Sequence, residues 1–163
     1  MASWWAARIR QFGSHVRARV TSAEREGLED WLTPRHLELF DAMSVADRRH
    51  GLDVVASLRG SGKRDTELLL AGLLHDAGKG RTVGLWPRVA FSLGERYGSW
   101  VWRVTRTLPG FRVALDRLDD HAERSAGLAA DAGCSPRTVE LIRHQSEPID
   151  RDGAVLRLAD EAN

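Results

Sequence analysis

Apolar positions along this chain recur at helical spacing and nowhere sustain the alternation of a strand. Leu37, Phe40 and Met43 stand three apart after Thr33-Pro34, where a capping threonine and a proline at the first helical position predict a helix start. Val45, Leu52, Val55 and Ala56 mark the next helix, over 45–58. From Asp65 to His75 the chain is apolar nearly all round (Leu68, Leu69, Leu70, Ala71, Leu73, Leu74), which predicts a helix buried at the centre of its domain. Its C-terminal end would carry His75 and Asp76 inward, and Ala77-Gly78 would let the chain turn away. Leu85 to Leu108 reads as one or two aromatic-rich helices broken at Gly94 and Gly98, followed by a short helix over 111–118 and a longer one over 119–132. Ser135-Pro136 opens a helix that ends at His144, and 154–162 forms the last. The fold class expected is all-α, a bundle of about seven to nine helices.

The same pattern divides the chain into a basic and polar helical segment, 1–32, and a helical domain, 33–163. Thr21 to Asp30 is polar and reads as a solvated helix or linker. Residues 1–20 carry Trp4-Trp5 and four arginines without an acidic residue. A frayed or packed N-terminal helix accounts for them; a short helix on anionic lipid is the alternative. His36, at a helix start, reads as a surface or partly packed residue. The glycine-rich run Gly60-Ser61-Gly62-Lys63 lacks phosphate-loop spacing and predicts a turn.

Composition narrows the classes further. The 163 residues suffice for one domain with a substantial core. A net charge of +1 argues against a general polyanion binder, so no specific nucleic-acid binding is expected. The single cysteine, Cys134, excludes an intrachain disulfide and reads as an inert loop thiol. No apolar run approaches the roughly 18 to 20 residues that span a bilayer, and none has the form of a secretory signal. A reducing, cytoplasmic location is the expectation. Only Lys63 and Lys79 are lysines among 24 basic residues, which singles out Lys79 beside the His-Asp pair.

The candidate chemistry lies in Leu73-Leu74-His75-Asp76-Ala77-Gly78-Lys79. Imidazole and carboxylate are ordinary ligands for zinc, manganese, iron or cobalt, and two polar groups ending an apolar helix need a compensating partner. His50 precedes His75 by 25 residues; His121 follows it by 46, His144 comes 23 later and Asp160 another 16. Four histidines and two aspartates, each on a different predicted helix end or face, are ligands enough for two metals sharing a bridge.

The order H…HD…H…H…D, with HDAGK at 75–79, resembles the HD-domain metal-dependent phosphohydrolases over roughly residues 45–163. That resemblance implies a helical bundle of the HD type. It also implies a divalent metal centre, with two ions favoured over one, held by His50, His75, Asp76, His121, His144 and Asp160. The carboxylate of Asp76 would bridge the ions. The implied reaction is hydrolysis of a phosphoester or phosphoanhydride by a metal-activated hydroxide. Asp76 and Lys79 are the candidate catalytic residues. The ammonium of Lys79 either meets a phosphate oxygen or leaving group, or faces a helix C-terminus. Arg49, Arg81 and Arg143 are further candidates for phosphate. The region after His144, Gln145-Ser146-Glu147-Pro148, lacks a Gly-Tyr-Pro triplet and so departs from the branch that opens cyclic dinucleotides. A small phosphorylated substrate, foremost a nucleotide, is the expected partner, and a homo-oligomer is compatible. A non-catalytic sensing or scaffold module is the principal alternative, and a diiron oxygenase of HD type the second.

Overall fold

A computed structural model describes residues 18–81 and 83–163. Ten α-helices are found among them: α1 (Ser22–Glu29), α2 (Pro34–Ala42), α3 (Val45–Gly60), α4 (Thr66–Leu74), α5 (Leu85–Tyr97), α6 (Trp100–Thr105), α7 (Phe111–Asp119), α8 (His121–Asp131), α9 (Pro136–Arg143) and α10 (Arg151–Glu161). A single 3-10 turn, Ala77–Lys79, follows α4. No strand occurs among the described residues, so the class is all-α. The count exceeds seven to nine because 21–30 forms a helix and 85–108 forms two. The arginine- and tryptophan-bearing start of the chain, residues 1–17, lies outside the described residues.

Short-range capping explains most of the boundaries. The side chains of Thr33, Ser44, Asp65, Ser135 and Asp150 each accept a backbone N–H in the first turn of the following helix. Helix α4 is the centre that its composition predicts: every residue from Leu68 to Leu74 is buried. Around it pack α3, α9 and α10, with α2 and α8 closing the bundle. One continuous core joins Phe40, Val54, Leu58, Leu73, Ala126, Ile142 and Leu156.

Two expectations are corrected by that core. Leu28 and Leu32 belong to it, so α1 is not simply a solvated segment; its Leu28 turns inward while most of its other residues face water. His36 is buried at 8% exposure. Its Nδ1 accepts the Thr33 N–H while its own N–H donates to the Thr33 hydroxyl, closing a capping box at the start of α2. Cys134 is also buried, and burial pushes its thiol up to about 11, which suits an unreactive sulfur.

Helices α5, α6 and α7 form a smaller unit around Val83, Ala114, Leu118 and Phe91. It is pinned to the main bundle by Arg88, whose guanidinium donates to both oxygens of the buried Asp47 at 2.7 and 2.8 Å. No described helix is long and apolar enough to cross a membrane.

Two glycines permit the close contacts that bring the His-Asp region together. A Cβ on Gly51 would lie 2.5 Å from the Leu73 carbonyl oxygen, so α3 and α4 touch backbone to backbone one residue from His50. A Cβ on Gly78 would lie 2.5 Å from the His121 carbonyl oxygen and 2.6 Å from the Ser125 nitrogen, so the 3-10 turn rests directly on α8. Neither backbone can give way cheaply. Gly51→Ala is therefore expected to destabilise the protein by about 1–3 kcal/mol. Gly27→Ala, with open space around its Cβ in α1, should be neutral or stabilising by up to about 1 kcal/mol. Equilibrium urea unfolding of both variants checks the contrast; equal effects would mean that the α3–α4 contact is looser than described.

Candidate metal centre

Helix α4 ends by delivering two polar side chains into the interior. His75 and Asp76 are both 2% exposed. The His75 Nδ1–H donates to the Gly72 carbonyl at 3.0 Å, which turns Nε2 into the site. Gln145, just past α9, donates from Nε2 to the His75 carbonyl at 3.1 Å and to the Ile142 carbonyl at 3.1 Å. The buried Ser125 hydroxyl accepts the Gly78 N–H at 2.8 Å and fixes the turn that follows. Position and tautomer are thus set by groups around the pair.

Distant segments converge on it. His50 comes from the middle of α3 and Asp160 from the last turn of α10, and the His50 Nε2 lies 2.7 Å from Asp160 Oδ1. The same oxygen is 3.4 Å from His75 Nε2. The ligand atoms of His50, His75 and Asp160 all lie within 4.8 Å of one another, a cluster that could hold a metal ion. Asp76 Oδ1 is 3.5 Å from His75 Nε2 and 3.9 Å from His121 Nε2. His121 opens α8, and its Nδ1 bonds the Leu118 carbonyl at 2.5 Å, so its Nε2 also faces inward. Lys79 Nζ lies 2.5 Å from Asp76 Oδ2.

His144 stands apart. It lines a shallow groove with Arg137, Glu140, Ile149 and Asp150, and its side chain makes no hydrogen bond or ion pair with the other five expected ligands. Of the arginines considered for phosphate, Arg49 is engaged by Glu24 and Asp53 and Arg143 by Glu123, while Arg81 is exposed beside the turn. Lys79 holds a carboxylate within the site, a role beyond facing a helix end. Gln145, Ser125 and Gly51 shape the site without any motif to announce them, whereas Gly78 lies inside HDAGK. A buried glutamine next to a candidate ligand is the nearest thing to a signal.

The electrostatics describe a site that demands positive charge. Within the site the buried Asp76 Oδ1 has no hydrogen-bond partner; three other buried nitrogens among the described residues, on His36, Arg48 and Arg49, also lack one. Such an atom ordinarily costs about 1–3 kcal/mol. Burial alone would neutralise Asp76, yet Lys79 and His75, then His50 and His121, hold its pKa well below the usual carboxylate range. Burial works against a charged His75 as well. The charges of Asp76 and Asp160 and the bond to Asp160 outweigh it and push His75 up to about 9. Burial opposes the ionised form of Asp160, but hydrogen bonds from His50 and His75 leave its pKa lowered. His121 moves the other way: burial and the Lys79 charge lower it, keeping the imidazole neutral. A proton on His75 therefore serves as the counter-charge where a cation would otherwise lie. Two imidazoles and two carboxylates around an unsatisfied oxygen fit a divalent ion of the borderline first-row kind.

No protein-family model, curated protein or solved structure matches the chain. The geometry of the site stands on its own.

The raised pKa of His75 fixes a sign for the metal-free protein. The folded state binds this proton more tightly than the unfolded chain, so its contribution is complete below about pH 6.5. It is lost as pH rises through about 9. Metal-free protein should lose on the order of 1–3 kcal/mol between those limits, and His75→Gln should abolish most of that slope. Chemical denaturation in chelator across the range measures it; a stability that rose with pH would contradict the assigned counter-charge.

Proposed function

We propose that this chain is a metal-dependent phosphohydrolase of the HD-domain type, acting on a small phosphorylated substrate such as a nucleotide. The reading rests above all on the unpartnered, buried Asp76 Oδ1 that His75 and His121 face while Lys79 occupies its other oxygen. Buried polar atoms are satisfied almost without exception, and a cation is the partner this donor set suits. The order of the residues along the chain agrees with the resemblance of HDAGK and its flanking ligands.

A first ion would be held by His50, His75, Asp76 and Asp160. A second would rest on Asp76 and His121. With His144 turned into its own groove, that second position has two protein ligands against four, so weaker occupancy is expected there. A bound divalent ion supplies Lewis acidity, lowering the pKa of water and offsetting charge on phosphoryl oxygens.

The protein's own groups have distinct tasks. His75 and His121 are held with Nε2 inward by the Gly72 and Leu118 carbonyls, so neither ring reorganises when a ligand arrives. Lys79, 21% exposed, bonds Asp76 Oδ2 and can share its ammonium with an incoming phosphate or leaving oxygen. Asp160, with its side chain 38% exposed, marks the open side from which a substrate would reach the site. Loss of the His75 proton is coupled to ion binding, so affinity for the ion should rise with pH.

Elemental analysis combined with a phosphate-release screen tests the proposal. The screen takes mononucleotides, dinucleoside polyphosphates and cyclic nucleotides with manganese or iron. Wild type is expected to retain at least one equivalent of metal and to release phosphate. His75→Ala and Asp76→Ala should lose both, and His121→Ala should lower occupancy toward one. Lys79→Ala should keep its metal but lose at least tenfold in turnover. Less than one equivalent under metal-replete expression would favour the sensing or scaffold reading. Oxygen consumption with iron and no phosphate release would favour the oxygenase.

A further inference from the structure

The unit formed by α5, α6 and α7 carries a surface that the metal centre does not use. Trp100, Val104 and Leu108 follow one another at intervals of four, and all are exposed, at 60%, 60% and 48%. On α6 that spacing places Trp100 and Val104 on one face, and Leu108 follows in the turn after the helix. Tyr97, 48% exposed, adjoins them, since the Trp100 indole N–H donates to its carbonyl at 2.9 Å. Trp102, on the opposite side, packs inward on Phe91 with ring centroids 5.4 Å apart. The helix packs one tryptophan inward, half-buried, and presents another to solvent.

Charge accompanies the strip. Residues 85–119 hold six arginines against three acidic residues, Glu95, Asp116 and Asp119, so this unit carries +3 where the whole chain is only +1. Arg96 lies over the Tyr97 ring at 5.7 Å. The exposed Arg103 and Arg112 form no ion pair among the described residues. Exposed apolar and aromatic side chains together with unpaired arginines on one unit match the water–lipid boundary, where tryptophan and tyrosine place an apolar body and a polar tip.

We propose that the α5–α7 unit is a docking surface for an anionic lipid bilayer, with Trp100, Val104 and Leu108 entering the headgroup boundary and Arg103 and Arg112 meeting lipid phosphates. Two other occupants fit less well. A second copy of the chain would set the same arginines against each other across a two-fold contact. Single-stranded nucleic acid would use the aromatic rings for stacking but leaves Val104 and Leu108 without a role.

Co-sedimentation of the full chain with vesicles tests the proposal. Vesicles of 7:3 phosphatidylcholine and phosphatidylserine in low salt should bind it at least tenfold more tightly than pure phosphatidylcholine. Trp100→Ser with Val104→Ser should lose at least tenfold, and R103E with R112E should do the same. The metal content and far-ultraviolet circular dichroism of both variants should stay unchanged, since all four side chains are exposed. Equal binding to both vesicles, or none, would overturn the proposal. So would vesicle binding retained by both variants, which would move the contact to another part of the chain. Preference for a single-stranded oligonucleotide without vesicle binding, or a dimer that the serine variants dissociate, would overturn it in favour of those occupants.

Discussion

A carboxylate oxygen sealed inside a helical bundle without a partner is the constraint around which this structure is arranged. Asp76 Oδ1 is out of reach of water and bonded to nothing, while its twin oxygen is held by Lys79. Charges in such surroundings persist only when opposite charge lies close by. Here it comes from Lys79 and from a His75 ring whose proton is retained to about pH 9. That proton brings positive charge to the place without offering Asp76 Oδ1 a good bond.

Packing delivers the remaining ligands to that place. The central helix α4 is so apolar that its position is fixed by burial alone, and its last residue sets where the His-Asp pair emerges. Gly51 lets α3 approach closely enough for His50 to reach Asp160, and Gly78 lets the turn settle on α8 beside His121. Substitution at either glycine would move ligands without touching one. The core and the site are in this sense one construction, and stability and metal affinity should respond together to changes at the α3–α4 contact.

Much of this is legible in the chain itself. An all-apolar run ending in His-Asp can only be a central helix with a polar end, because nothing else satisfies its pattern. The caps at Thr33 and Ser135 mark helix starts for the same local reason. His50, His75 and Asp160, expected as ligands from their order, do converge. What periodicity does not carry is orientation about a helix end. His144 sits at the C-terminus of α9 and lines the groove, while the next residue, Gln145, bonds the His75 carbonyl. The burial of His36 is hidden for a related reason: its capping bonds to Thr33 are local, but the Gly133 backbone that interacts with it comes from far along the chain. The small unit around Phe91 is equally obscure, since its exposed tryptophan and its half-buried one are two residues apart.

The most direct test is anomalous diffraction from crystals grown with manganese or iron, with data collected at the metal edge. The expected result is a peak about 2.0–2.2 Å from the Nε2 atoms of His50 and His75 and from a carboxylate oxygen of Asp160, with Asp76 Oδ1 turned toward it. A map with the metal at full concentration and no peak among these four residues, or with the ion bound elsewhere, would contradict the account.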